Sequence, residues 1–151
     1  MRDQRGFTLT EIVLVLLIGG LLTAIAVNTF GRAQHRMATR SAESQFVTMH
    51  AHTRALAVER GDVARLVVDA NQNRVSIVLG LGGGQTVRTV DFMEHYDVGI
   101  QTAGSPLELC MNPRGFADQD CNTFENVAEI TFQRMAQARS VRLLPMGQLL
   151  R

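Results

Sequence analysis

Glu11 is the residue whose placement most demands a chemical explanation. It stands at the edge of twenty uncharged residues, Ile12 to Gly31. A carboxylate carried into hydrocarbon costs on the order of a few kcal/mol unless a cation meets it. Its alternative role is interfacial, with the carboxylate turned to the headgroups. Cys110 and Cys121 lie eleven positions apart. Such a pair in an exported domain most simply forms a disulfide, two separate buried thiols being the alternative. A loop of this size gains about 3 kcal/mol in the chain-entropy model. Zinc would need a CxxC or a nearby His, and neither is present.

The remaining polar clusters carry less. His50 and His52 are two apart, about 200° around a helix, so they cannot grip one metal from one face. His35 and His95 are isolated. Asp118-Gln119-Asp120 offers oxygen ligands suited to calcium but lacks EF-hand spacing, and a solvated turn explains it equally. Gly80-Leu81-Gly82-Gly83-Gly84 has no P-loop lysine and reads as a strand connection. No Ser-His-Asp or Cys-His set assembles, so no catalytic residue, metal or cofactor is assigned.

The elements that position these residues follow from periodicity. Ile12 to Gly31 is long enough, as a helix, to span about 30 Å of hydrocarbon. The helical pattern continues to about Arg60, with Ala38, Ala42, Phe46, Met49, Thr53 and Leu56 forming one apolar face. Gly61-Asp62 ends it. Arg32, Arg36 and Arg40 share another face, suited to lipid phosphates, acidic neighbours or water. Gly19 and Gly20 suit close helix packing.

From Val63 the period becomes two. Strands are expected at Val63–Val68, Arg74–Leu79, Gln85–Phe92, Val98–Ile100, Leu107–Cys110, Glu129–Gln133 and Ser140–Leu144. Gly104-Ser105-Pro106 reads as a turn between the fourth and fifth, and the last two form a hairpin around Ala136-Gln137-Ala138. The expected class is α+β, a long N-terminal helix packed on an antiparallel, β-sandwich-like domain. The segments are a leader at 1–6, an apolar helix at 7–31, its amphipathic half at 32–61, and a β-rich domain at 62–151.

Charge adds little. The chain has 151 residues, and all fifteen basic ones are Arg. Removing residues 1–6 takes away Arg2, Arg5 and Asp3, leaving thirteen of each sign. No basic bias points to nucleic acid.

Gly6-Phe7-Thr8-Leu9-Thr10-Glu11, followed by the apolar run, resembles the N-terminus of type IV prepilins and pseudopilins. The resemblance implies cleavage between Gly6 and Phe7 by prepilin peptidase and N-methylation of Phe7. It implies that Glu11 pairs with the N-terminal amine of a neighbouring subunit during assembly. Partners would be other pilins or pseudopilins, an inner-membrane assembly platform and membrane lipid. Location would be the inner membrane, single-pass, with the C-terminal domain in the periplasm and then in a filament. Arg54–Arg60, the strand near Val63, Leu109–Gly115 and the closing hairpin are similar to pseudopilin H and FimT-type minor pilins.

Two alternatives accompany that reading. An A-x-A site ending at Ala26 suits an ordinary signal peptide, but Glu11 and the uninterrupted helical pattern oppose it. Flanking arginines, counted alone, favour the opposite topology; the prepilin resemblance sets the orientation. A pilin for DNA uptake would need Arg114, Arg134, Arg139, Arg142 and Arg151 gathered on one surface. The C-terminal Gly-Arg-x-Arg motif of DNA-binding FimT-type pilins is absent, Gly147-Gln148-Leu149-Leu150-Arg151 standing there, so DNA is not the favoured partner.

Overall fold

The computed structural model describes residues 8–150, apart from the side chains of residues 25–30 and 32. Gly6, Phe7 and Arg151 lie outside the described residues, as does the leader. The chain divides into two compact units, Met1–Gln34 and His35–Arg151.

Helix α1 runs Leu9–Arg60. Its start is chemically marked: Thr8 Oγ1 accepts the Glu11 N–H at 3.3 Å, and Thr8 O accepts Glu11 N and Ile12 N. Thr8-Leu9-Thr10-Glu11 has the Thr-x-x-Glu spacing of an N-terminal cap. Within the first unit the helix exposes apolar side chains all round, from Leu9 through Leu22. A Cβ added at Gly19 or Gly20 would meet nothing within 4 Å. The expected span reaches into residues 25–30, whose side chains lie outside the described residues. Among the described residues no helix is long and apolar enough to cross a membrane.

In the second unit the pattern of α1 changes to a single buried face. Ala42, Phe46, Met49, Thr53, Leu56 and Ala57 are buried. Spacings of three and four keep them in one stripe. Thr53 satisfies its hydroxyl on Met49 O at 2.8 Å, so its burial leaves no unmet donor.

Among the described residues, eight strands form two four-stranded antiparallel sheets. The first has order β3-β2-β1-β5, built from β1 (Ala64–Asp69), β2 (Arg74–Leu79), β3 (Gln85–Asp91) and β5 (Leu107–Met111). The second has order β4-β6-β7-β8, from β4 (Gly99–Thr102), β6 (Ala128–Arg134), β7 (Gln137–Leu143) and β8 (Leu149–Leu150). One buried cluster contains residues of α1, both sheets and Phe92. At its centre Phe132 lies 5.6 Å from both Phe46 and Phe92, ring to ring.

The α+β expectation holds, with four local differences. The third strand stops at Asp91, because Asp91 Oδ1 caps the Glu94 N–H at 3.0 Å and turns Phe92–Tyr96 into the short helix α2. Asp-x-x-Glu was the signal for it. β4 and β5 flank Gly104–Pro106 as expected but do not pair with each other. They belong to different sheets, Ile100 facing Phe132 and Leu109 facing Leu66. The β6–β7 turn is Met135-Ala136, one residue earlier than expected, with Met135 at φ 52°. Leu149–Leu150, for which no strand was expected, pairs with β7.

Asn73 ties the sheets together. It adopts a left-handed conformation at the β1–β2 turn, which Asn tolerates well. Its carbonyl accepts Phe92 N at 2.8 Å, and its Oδ1 accepts Ile100 N at 2.7 Å. The glycine connection between β2 and β3 is equally specific. A Cβ at Gly84 would sit 1.9 Å from Leu79 O.

Phe132→Ala is expected to destabilise the second unit by about 3–5 kcal/mol, since it empties the space between two rings and two sheets. Urea unfolding of the full chain in a neutral detergent measures it. A loss below 1 kcal/mol would contradict the central place of this ring.

Candidate functional site

Three regions carry the side chains with a claim to function: the start of α1, the disulfide loop with the C-terminal turn, and a groove beside the β6–β7 hairpin.

At the start of α1, Glu11 is exposed in the first turn. An acid there suits the partial positive charge of a helix N-terminus. Glu11, Ile12, Val15 and Leu16 line a shallow groove of about 290 Å³. Among the described residues no ion pair involves Glu11. Its carboxylate is presented on an apolar, exposed helix, the arrangement a second cationic group would complete.

The second region is built on a covalent link. Cys110, at the end of β5, is bonded to Cys121, with Cα atoms 5.8 Å apart. The loop between them is closely hydrogen-bonded. Asn112 Oδ1 accepts the backbone N–H groups of Arg114 and Phe116, and Asp118 N donates to Cys110 O. Asn122 bridges outward: its Oδ1 accepts Cys110 N at 2.9 Å and its Nδ2 donates to Pro145 O at 3.1 Å. That second bond fastens the loop to the closing turn, where Gly147 N donates to Leu144 O. Gly147 has φ +79°, and an added Cβ would be 3.0 Å from Ala117 Cβ, so glycine is required for both conformation and space.

The same turn is fastened to α1 by His50, a residue read as an ordinary surface or interface group from sequence. His50 is buried, and its Nε2–H donates to Gly147 O at 3.0 Å. Burial pushes its pKa below the ordinary 6.5; the carbonyl bond opposes this, and the Arg54 charge adds to it. His52 is exposed, so the two histidines diverge as their spacing required. Asp118 accepts the Asp120 N–H at 3.3 Å within the loop. Among the described residues no three His, Cys, Asp or Glu side chains converge on a common point.

Among the described residues, the arginines considered for DNA, Arg114, Arg134, Arg139 and Arg142, do not share one face. Arg142 is exposed between buried Val141 and Leu143, opposite Glu129, on the outer face of its sheet. Arg134 and Arg139 have the opposite parity. Arg134 pairs with Asp97 at 2.9 Å and Arg139 with Glu43 at 2.5 Å. Arg114 is exposed in the disulfide loop.

Sequence spacing alone did not unite Arg139 with the helix arginines. Arg36, Met37, Thr39, Arg40, Gln137, Ala138 and Arg139 line a groove of about 460 Å³. Arg36 and Arg40 share a helix face at spacing four, and the β7 register brings Arg139 to that face. Only the packing of the hairpin beside α1 reveals this.

Known proteins resemble the chain at both levels. Residues 1–27 match the prokaryotic N-terminal methylation motif. No curated protein matches the sequence significantly. The fold is similar to crystal structures of the type IV minor pilin FimU of Pseudomonas aeruginosa strain PAO1. One, in space group P21, gives a TM-score of 0.59 at 14% identity, covering 76% of this chain and 88% of that one. Another, in space group P65, gives 0.55 at 14%, covering 74% and 90%.

Two outcomes test this region. Acidification should lower stability: the unfolded chain takes up a proton at His50 near pH 6.5, whereas the folded chain resists it until lower pH. The thermal midpoint should therefore fall as pH drops through 6.5 and below it, and His50→Gln, which keeps a donor for Gly147 O, should flatten that part of the profile. An unchanged profile would refute the assignment. Paired Cys110→Ser and Cys121→Ser substitution should cost about 2–4 kcal/mol, read by urea unfolding without reductant.

Proposed function

We propose that this chain, which joins a prokaryotic N-terminal methylation motif to a fold similar to that of a type IV minor pilin, is a minor pilin or pseudopilin. It is a structural subunit of a type IV pilus or type II secretion pseudopilus, without catalytic activity of its own. The observation that carries this reading is the joining of an N-terminal methylation motif to that fold in one chain.

The chemistry proceeds from the residues. Prepilin peptidase cleaves between Gly6 and Phe7, and Phe7 becomes the N-methylated first residue. The apolar helix holds the subunit in the inner membrane with the second unit in the periplasm. Glu11 then meets the N-terminal amine of a neighbouring subunit. Two opposite charges in low dielectric attract strongly, whereas either alone is costly there. That asymmetry favours one axial register between subunits. Apolar side chains exposed from Leu9 to Leu22 supply the packing surface. The disulfide loop and closing turn, knitted by Asn122 and His50, present a firm surface to filament partners.

Glu11→Ala should leave the second unit folded and the leader cleaved but reduce incorporation into filaments by at least tenfold. Shear fractions from cells expressing the variant, probed with an antibody to the chain, measure this, while N-terminal sequencing reads the processing. A mature chain beginning at Phe7 is expected. One beginning at Val27 would overturn the proposal, as would normal incorporation of the variant.

A further inference from the structure

We propose that the groove between α1 and the β6–β7 hairpin is a binding site for a phosphate group, supplied by the headgroup of an anionic phospholipid. This rests on the membrane-anchored reading above.

Three guanidinium groups line the groove: Arg36, Arg40 and Arg139. Arg139 is engaged by Glu43, a buried carboxylate. Among the described residues no ion pair takes up Arg36 or Arg40. Local charge therefore remains positive after Glu43 is counted. Each guanidinium presents several N–H donors in a planar fork that matches phosphate oxygens. Thr39 does not compete for the ligand, because its hydroxyl donates to backbone carbonyls of His35 and Arg36. The volume, about 460 Å³, exceeds what a phosphate needs and accommodates a glycerol headgroup.

Two observations favour lipid over a soluble anion. Met37 lines the groove and is 69% exposed, an apolar side chain beside the arginines with no protein to cover it. A phosphate attached to acyl chains satisfies both surfaces, whereas free phosphate meets only the charge. Arg36 also follows Gly31, the end of the uncharged run, by five positions. Basic residues in such juxtamembrane sequence are drawn to anionic headgroups.

The test uses the full chain in a neutral maltoside detergent, titrated with short-chain phosphatidylglycerol, phosphatidylcholine, inorganic phosphate and a single-stranded oligonucleotide. Thermal stabilisation and native mass spectrometry report binding. Phosphatidylglycerol should bind at least tenfold tighter than phosphatidylcholine. The double variant Arg36→Gln, Arg40→Gln should lose about tenfold of that preference. Arg142→Gln, on the outer face of the second sheet, should keep it. Equal binding of the two lipids would overturn the proposal, as would a preference that survives the double variant. If inorganic phosphate or the oligonucleotide binds as tightly with the same arginine dependence, lipid is the wrong source. Flotation with phosphatidylcholine vesicles reads the anchor separately. A chain that floats without headgroup preference overturns the groove alone, and one that does not float overturns the anchored reading.

Discussion

The fold depends on one helix face finding two sheets. From His35 onward α1 has a single apolar stripe, and burying it requires surface from both sheets, which pair strand to strand only within themselves. Phe132 is where the requirement is met, its ring between Phe46 of α1 and Phe92 of α2. Burying a ring of that size contributes about 1.5–3 kcal/mol, and ring pairing adds a further 0.5–1.5 kcal/mol. Other features serve this junction. Asn73 fixes the crossing from one sheet to the next, and Arg139 neutralises the buried Glu43 at its edge.

The first unit follows the opposite rule. Among the described residues its apolar side chains from Leu9 to Leu22 are exposed on every side, which no single chain in water would retain without a second medium or partner. Glu11 and the Thr8 cap are the polar features at its start. On the function proposed above, such a helix would meet neighbouring subunits and its carboxylate would set their register, so that one segment would serve anchoring and assembly and the other the subunit's specific surface.

The second unit closes its own end by cross-linking. The disulfide holds the loop from Cys110 to Cys121, Asn122 joins it to Pro145, and His50 joins the closing turn to α1. Covalent, amide and imidazole links converge on a few residues around Gly147, whose φ of +79° favours glycine. A surface so tied loses little entropy when a partner docks, which favours binding by preorganisation.

Sequence by itself determined the elements. Periods of 3.6 and 2 are local, so the long helix, most strands and the α+β class were legible, as were the spacing of Gly6, Phe7 and Glu11 and the pairing of Cys110 with Cys121. Even the missed helix α2 and the Thr8 cap left a Thr/Asp-x-x-Glu signal in the chain. Tertiary structure alone decided which strands pair. β4 and β5 are near in sequence but lie in separate sheets, because alternation states which face is buried and not which neighbour buries it. It also decided that His50 is buried against Gly147, that Arg134 and Arg139 sit in ion pairs away from Arg142, and that Arg139 joins Arg36 and Arg40. Those residues are about a hundred positions apart, and only the packed fold sets the distance between such charges.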